Sequence, residues 1–160
     1  MPDRNTVLFE PEKIDTLFGL PVSPYLRIDG ELVFIFYDDL PFTNTLIGDV
    51  TILKGFHSDG CSMPRVLWTV LGHPLDIDYM KEAFLHDWLY YIQICSRKMA
   101  DKVIEDEMRK SGRVGWFRRK TIYRGLRIGG WAAWNNHAKR IKAEQEARAE
   151  APTVESEPTD

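Results

Sequence analysis

The spacing of apolar and polar positions divides this chain near Phe56. Before it, short stretches rich in β-branched and aromatic residues alternate with turn residues. The runs YLRI (Tyr25–Ile28) and ELVFIFY (Glu31–Tyr37) flank Asp29-Gly30, a pair that favours a tight hairpin turn. DDLPFTN (Asp38–Asn44) reads as a turn, and IGDVTILKGF (Ile47–Phe56) as a third strand. Together they predict a small antiparallel β-sheet, near the minimum that is independently stable. Residues 1–20 lack a clear period and hold Pro2, Pro11 and Gly19, so they read as loop with one helical turn near Glu12–Phe18.

Beyond Phe56 the period becomes helical. HSDGCSMPR (His57–Arg65) is a polar loop, and RVLWTVLG is a short helix stopped at Gly72-His73-Pro74. A long helical pattern runs from Asp78 through Cys95. A second begins at Ser96, an N-cap residue, and stops at Ser111-Gly112. The short break between them predicts an antiparallel helical hairpin. A last helix is expected from about Trp116 into the 140s, with Gly129, Gly130, Ala132 and Ala133 allowing close approach to a neighbour. The expected fold is α+β: a small antiparallel sheet, a helical hairpin and a long C-terminal helix, forming one domain over 1–143.

Composition narrows the class. At 160 residues, 44% hydrophobic and 12% aromatic, the chain is long enough for one core. No stretch has the apolar length of a membrane span, and MPDRNTVLFEPEK lacks the apolar run of a signal peptide. Two cysteines, Cys61 and Cys95, are too few for a disulfide framework.

Charge is unevenly spread. The net value is −3, yet the segment from Glu144 onward carries six acids and one arginine, which leaves about +2 for 1–143. That segment, with prolines and no aromatics, reads as a disordered acidic tail over 144–160. Between Met108 and Ala143 there are eleven Lys and Arg and no Asp or Glu. Aromatics interleave there, at Trp116, Phe117, Tyr123, Trp131 and Trp134. This segment suits an anionic membrane surface or a nucleic-acid backbone. It equally suits an aromatic stripe facing the core with a solvated cationic back. No recognised nucleic-acid motif accompanies it.

The candidate chemistry lies in EAFLHDWLYY (Glu82–Tyr91). Helical residues advance by about 100° each, so His86 and Tyr90 lie about 40° apart and Asp87 shares the same arc. Arg97 and Asp101 are four apart on the second helix, and an antiparallel hairpin brings Asp101 within reach of His86. A histidine acting as base needs a carboxylate on its other ring nitrogen. A hard cation such as calcium needs carboxylate and carbonyl oxygens, for which Asp59 in GFHSDGCSMP and Asp87 are candidates. In the structural alternative, Asp59 makes an Asx turn, Ser62 caps a helix and Arg65 pairs with Asp59, Asp87 or Asp101, so that the same residues lock loop to hairpin.

Two resemblances follow from these motifs. GFHSDGCSMPRVLW, AFLHDWLYY, SRKMADKVIEDEMRKSG and RRKTIYRGLRIGGWAAW, in that order over Gly55–Trp134, resemble domain-of-unknown-function family 1353 of phages and prophages. That implies a tailed-phage or prophage protein, placed in the host cytoplasm or the virion with virion components as partners, and no particular activity. HDWLY resembles the H-D-x-x-Y helix of the secreted phospholipase A₂ superfamily. This implies His86 as the base that activates water, Asp87 as a calcium ligand, Tyr90 steadying the site and Asp101 holding the imidazole. Glu82 and Ala83 stand where that superfamily has cysteines, and its glycine-rich calcium loop has no counterpart beyond the SDG loop.

Other chemistries use the same residues. Metal phosphohydrolases of the His-Asp type would need His57 or His73 together with Asp101. A Ser62–His86–Asp101 triad lacks the glycine context of a nucleophile elbow. Cys61 as nucleophile, or zinc on His57, Asp59 and His86, would require a convergence that spacing does not show. Two function classes remain: a phospholipase A₂-like calcium-dependent ester hydrolase, and a non-catalytic phage virion or assembly protein.

Overall fold

In the computed structural model, residues 19–26, 32–58 and 78–150 are described. Among these residues five strands precede four helices: β1 Val22–Leu26, β2 Leu32–Phe36, β3 Leu40–Asn44, β4 Gly48–Ile52, β5 His57–Ser58, α1 Met80–Ile92, α2 Arg97–Ser111, α3 Trp116–Gly129 and α4 Trp131–Glu150. The architecture is α+β, as the sequence predicts. The expected short helix at 65–72 and the Asp29-Gly30 turn lie outside the described residues.

The β-region differs from the expected single sheet. It forms two antiparallel sheets, β1-β2-β5 and β3-β4. DDLPFTN supplies a strand instead of a turn, because Leu40, Phe42 and Asn44 alternate inward and pair with Ile52, Val50 and Gly48. Asn44 Oδ1 accepts from Leu46 N at 2.7 Å, and Gly48 takes the left-handed φ of 78° that closes the short loop. The expected third strand therefore pairs with β3. Hydrogen bonds from Phe36 N to Phe56 O (3.0 Å) and from Gly55 N to Phe36 O (2.7 Å) tie β2 to the connection that leads from β4 to β5. The two-residue β5 then pairs with β2, placing Ser58 opposite Phe34.

The hairpin forms where its caps predict. Ser96 Oγ accepts from Met99 N at 3.2 Å, and Gly112 closes α2 with φ of 68°. Gln93 adopts a left-handed φ of 51° to end α1. The two helices run antiparallel: His86 and Tyr90 near the end of α1 meet Asp101 near the start of α2, while Tyr79 and Ala83 pack with Ile104 and Met108.

Nine of the thirteen residues of α1 are buried, because it packs on both sides. Phe84 meets Phe34 and Phe36 edge-on, each at 5.3 Å between ring centroids, and Trp88 meets Phe56 at 4.9 Å. On the hairpin side, Leu85, Leu89, Ala100 and Val103 complete the same core. Burying such side chains contributes about 1.5–3 kcal/mol each relative to exposure.

The long C-terminal helix is interrupted at Gly130 into α3 and α4. A Cβ on Gly130 would collide with the Tyr90 hydroxyl and lie 2.8 Å from Leu126 O, so the chain passes α1 more closely than any side chain allows. Helix α4 continues to Glu150, so the boundary expected at Glu144 falls inside it, and 151–160 lie outside the described residues. Among the described residues no helix is long and apolar enough to cross a membrane.

Candidate functional site

Asp101 is the centre of the polar cluster. It is wholly buried on α2, and both carboxylate oxygens are used. Oδ1 lies 3.0 Å from His86 Nε2 and accepts from the Tyr90 hydroxyl at 2.6 Å. Oδ2 accepts from Arg127 Nη1 at 2.6 Å, with Arg97 Nη1 farther off at 3.7 Å. Burial alone raises the pKa of this carboxyl, but the hydrogen bonds from His86, Tyr90 and Arg127 outweigh that and hold it below the ordinary carboxylate value.

The ionised Asp101 fixes the tautomer of His86. An ionised carboxylate only accepts, so Nε2 carries the proton and donates. In the neutral imidazole the lone pair is then on Nδ1, which lies 3.9 Å from Asp87 Oδ1. Burial pulls the His86 pKa down, yet hydrogen bonding to Asp101 and Asp87 and their charges more than offset it, so it stands above its ordinary value. Burial, then the Asp101 carboxylate, pushes the Tyr90 phenol upward, which keeps it a donor. Its ring lies 4.1 Å from the imidazole and is met edge-on by Trp134 at 5.1 Å, so His86 is braced by packing as well as by hydrogen bonds.

Asp87 sits at the edge of the cluster. Its side chain is 23% exposed against 7% for His86. Ser58 Oγ donates to Asp87 Oδ2 at 2.5 Å, which is the use made of β5. A carboxylate and a hydroxyl are the hard oxygen donors that suit calcium in kind. Among the described residues no group of three or more His, Cys, Asp and Glu side chains is placed to hold a metal ion. Asp59, Ser62 and Arg65 lie outside the described residues.

Sequence reading places His86, Tyr90, Asp101 and Arg97 together, and the structure does so too. Arg97 has a different principal role from simple pairing with Asp101: its Nη1 donates to Leu126 O and Arg127 O at 3.2 and 3.3 Å, satisfying carbonyls at the end of α3. Two members escape the sequence reading. Arg127, the closest cation to Asp101 among the described residues, comes from α3, and only the neighbouring small residues Gly129 and Gly130 signal that α3 approaches there. Ser58 depends on a two-residue strand with no periodic signal.

Residues 36–126, from the end of β2 to Leu126 of α3, match the family model described as "Protein of unknown function (DUF1353)". The chain belongs to this family. The matched span contains His86, Asp87, Tyr90, Arg97 and Asp101 but ends one residue before Arg127. It stops short of the Gly55–Trp134 resemblance at the C-terminal side and takes in β3 and β4 at the N-terminal side, strands that are in keeping with that resemblance. An uncharacterized protein of Sinorhizobium fredii, y4jT, is 27% identical to this DUF1353 member over 114 residues, covering 70% of this chain and 33% of that protein. The chain thus spans about a third of the length of the curated relative it matches. No solved structure matches it.

Proposed function

We propose that this chain is a calcium-dependent ester hydrolase with His86 as its general base. One observation carries the reading. A single buried oxygen, Asp101 Oδ1, binds both His86 Nε2 (3.0 Å) and the Tyr90 hydroxyl (2.6 Å), which leaves Nδ1 as the basic nitrogen on the partly exposed Asp87 side. The H-D-x-x-Y motif is similar to that of the phospholipase A₂ superfamily, which implies the same division of labour.

In this mechanism His86 Nδ1 takes a proton from water, and the oxygen attacks the ester carbonyl carbon directly, with no acyl-enzyme. Asp101 stabilises the imidazolium that forms, while Tyr90 and Arg127 hold the carboxylate in place. The proton then passes from Nδ1 to the departing alkoxide. Asp87, steadied by Ser58, would supply a carboxylate to calcium, with Asp59 the second ligand that the sequence suggests. Bound there, the cation would polarise the ester carbonyl. In a tailed phage or prophage, the setting that the family resemblance implies, the substrate would be a host lipid ester.

The test is fatty-acid release from phospholipid vesicles with calcium present. Activity in the wild type that His86→Ala abolishes, with the fold retained, supports the reading. Equal release by His86→Ala refutes it.

A second reading rests on the completeness of the Asp101 cluster. Both oxygens of this buried carboxylate are satisfied, as in a network that locks a hairpin to α3. Under it the chain is a non-catalytic virion or assembly component. Asp87→Asn then leaves calcium affinity and function unchanged.

A further inference from the structure

Helix α3 is built the opposite way round from a core-facing aromatic stripe with a solvated cationic back. Three of its cations turn toward the body of the protein. Lys120 pairs with Glu105, Arg127 with Asp101, and Arg118 lies over the Tyr79 ring at 5.1 Å. Ile122 is the only side chain of α3 that is fully buried. Outward face the large apolar side chains: Trp116 is 66% exposed, Phe117 72%, Ile128 78% and, just past Gly130, Trp131 59%.

These residues share a stripe. At about 100° per residue, Phe117, Arg124 and Ile128 fall within an arc of about 40°, on the side of α3 away from Ile122. The hydrogen bonds Gly130 N to Leu126 O (2.9 Å) and Trp134 N to Gly130 O (3.1 Å) carry the helical turn across the break, which sets Trp131 one turn beyond Ile128. Arg124 is exposed in the middle of the stripe. Glu105 and Asp101 of α2 offset Lys120 and Arg127 on the inner side, but from Arg109 to Lys142 the chain itself has no acidic residue, so Arg124 on the stripe has no acid beside it on its own helix.

We infer that the Phe117–Arg124–Ile128–Trp131 face of α3 and α4 docks the protein on an anionic lipid bilayer. Tryptophan and phenylalanine with arginine are the side chains that settle at the headgroup boundary, with apolar bodies below and cations against phosphate. Nucleic acid is the poorer match. Aromatic rings stack on bases, but Ile128, the most exposed of the set, has no such use. A second copy of the chain is also the poorer match, because it would bring Arg124 of each copy to the same apolar stripe with no acid on either to meet it. The inference stands apart from the hydrolase reading, since His86→Ala leaves this face intact.

The experiment is co-sedimentation of the full chain with vesicles of equimolar phosphatidylcholine and phosphatidylglycerol, beside vesicles of phosphatidylcholine alone. The wild type is expected to bind the mixed vesicles, more weakly as salt rises, with a blue shift of tryptophan emission. Phe117→Gln with Ile128→Gln should lower the partition coefficient by about tenfold or more, the scale expected when two large apolar side chains are withdrawn from an interface. Both positions are exposed and glutamine is a good helix former, so an unchanged circular dichroism melt certifies the fold. Arg124→Glu should weaken binding to mixed vesicles only. Failure of the folded wild type to bind, or equal binding by the double variant, overturns the inference. So does sedimentation equilibrium in which the wild type is a dimer and the variant a monomer, or binding to DNA or RNA, but not to vesicles, that the variant loses.

Discussion

His86 Nε2 and Asp101 Oδ1 lie 3.0 Å apart across the helical hairpin, fifteen residues apart in sequence and both buried. Gln93, which ends α1 in the left-handed region, and Ser96, which caps α2, bound the tight turn that lets the two helices meet there. The cluster therefore reports on hairpin geometry and site chemistry at once, and variants of its members separate the two.

Asp101→Ala should be the most damaging single change at the site. It leaves Nε2, the Tyr90 hydroxyl and Arg127 without their acceptor, a loss of about 3–5 kcal/mol when one partner of a buried pair is removed. Tyr90→Phe removes one hydrogen bond to the same oxygen and should cost about 1–2 kcal/mol. Urea unfolding of both variants checks the order.

The pH dependence of stability follows from the two shifts. His86 has a raised pKa in the folded protein, so its contribution is complete below its ordinary value of about 6.5 and disappears as pH rises through the folded value. Asp101 has a lowered pKa, so its contribution is present above the ordinary carboxylate value and disappears as pH falls through the folded one. Stability should therefore decline on both flanks. Asp101→Asn should remove the alkaline decline by bringing the imidazole down, which proton NMR of the His86 ring in calcium-free protein reads directly.

Gly130→Ala should destabilise by about 1–3 kcal/mol, as overpacking does. Helix propensity alone predicts the opposite sign, because alanine is the better helix former. The new methyl meets the Tyr90 hydroxyl, which Asp101 holds in place. In Gly130→Ala/Tyr90→Phe part of that cost should return, and thermal melts of the pair test it.

If Asp87 holds calcium as the proposed hydrolase requires, Ser58→Ala should weaken that binding by about tenfold or more without unfolding the protein, the usual scale for a group that orients a metal-ligating carboxylate. Its hydroxyl donates to Asp87 Oδ2 at 2.5 Å. A calcium titration of the variant against wild type measures the change.

The helical hairpin was legible because its signals are local: a serine cap, a glycine stop and an apolar run long enough to exclude a strand. His86, Tyr90 and Asp101 were legible for the same reason, since two helices joined by a tight turn leave little freedom. The β-region was less so. DDLPFTN has turn composition, and its strand character comes from pairing with Gly48–Ile52, a tertiary effect. Arg127 was out of reach because its contact depends on how α3 folds back, which the hairpin caps do not encode. The inward turn of the α3 cations has a similar origin: the acids they meet, Glu105 and Asp101, lie on α2.

The most direct test of the hydrolase reading is calcium titration calorimetry on the wild type beside Asp87→Asn. The account predicts saturable binding by the wild type and its loss in Asp87→Asn, with both proteins folded. Absence of binding at millimolar calcium in the folded wild type, or equal binding by the variant, would contradict it and leave the Asp101 cluster as the lock between hairpin and α3.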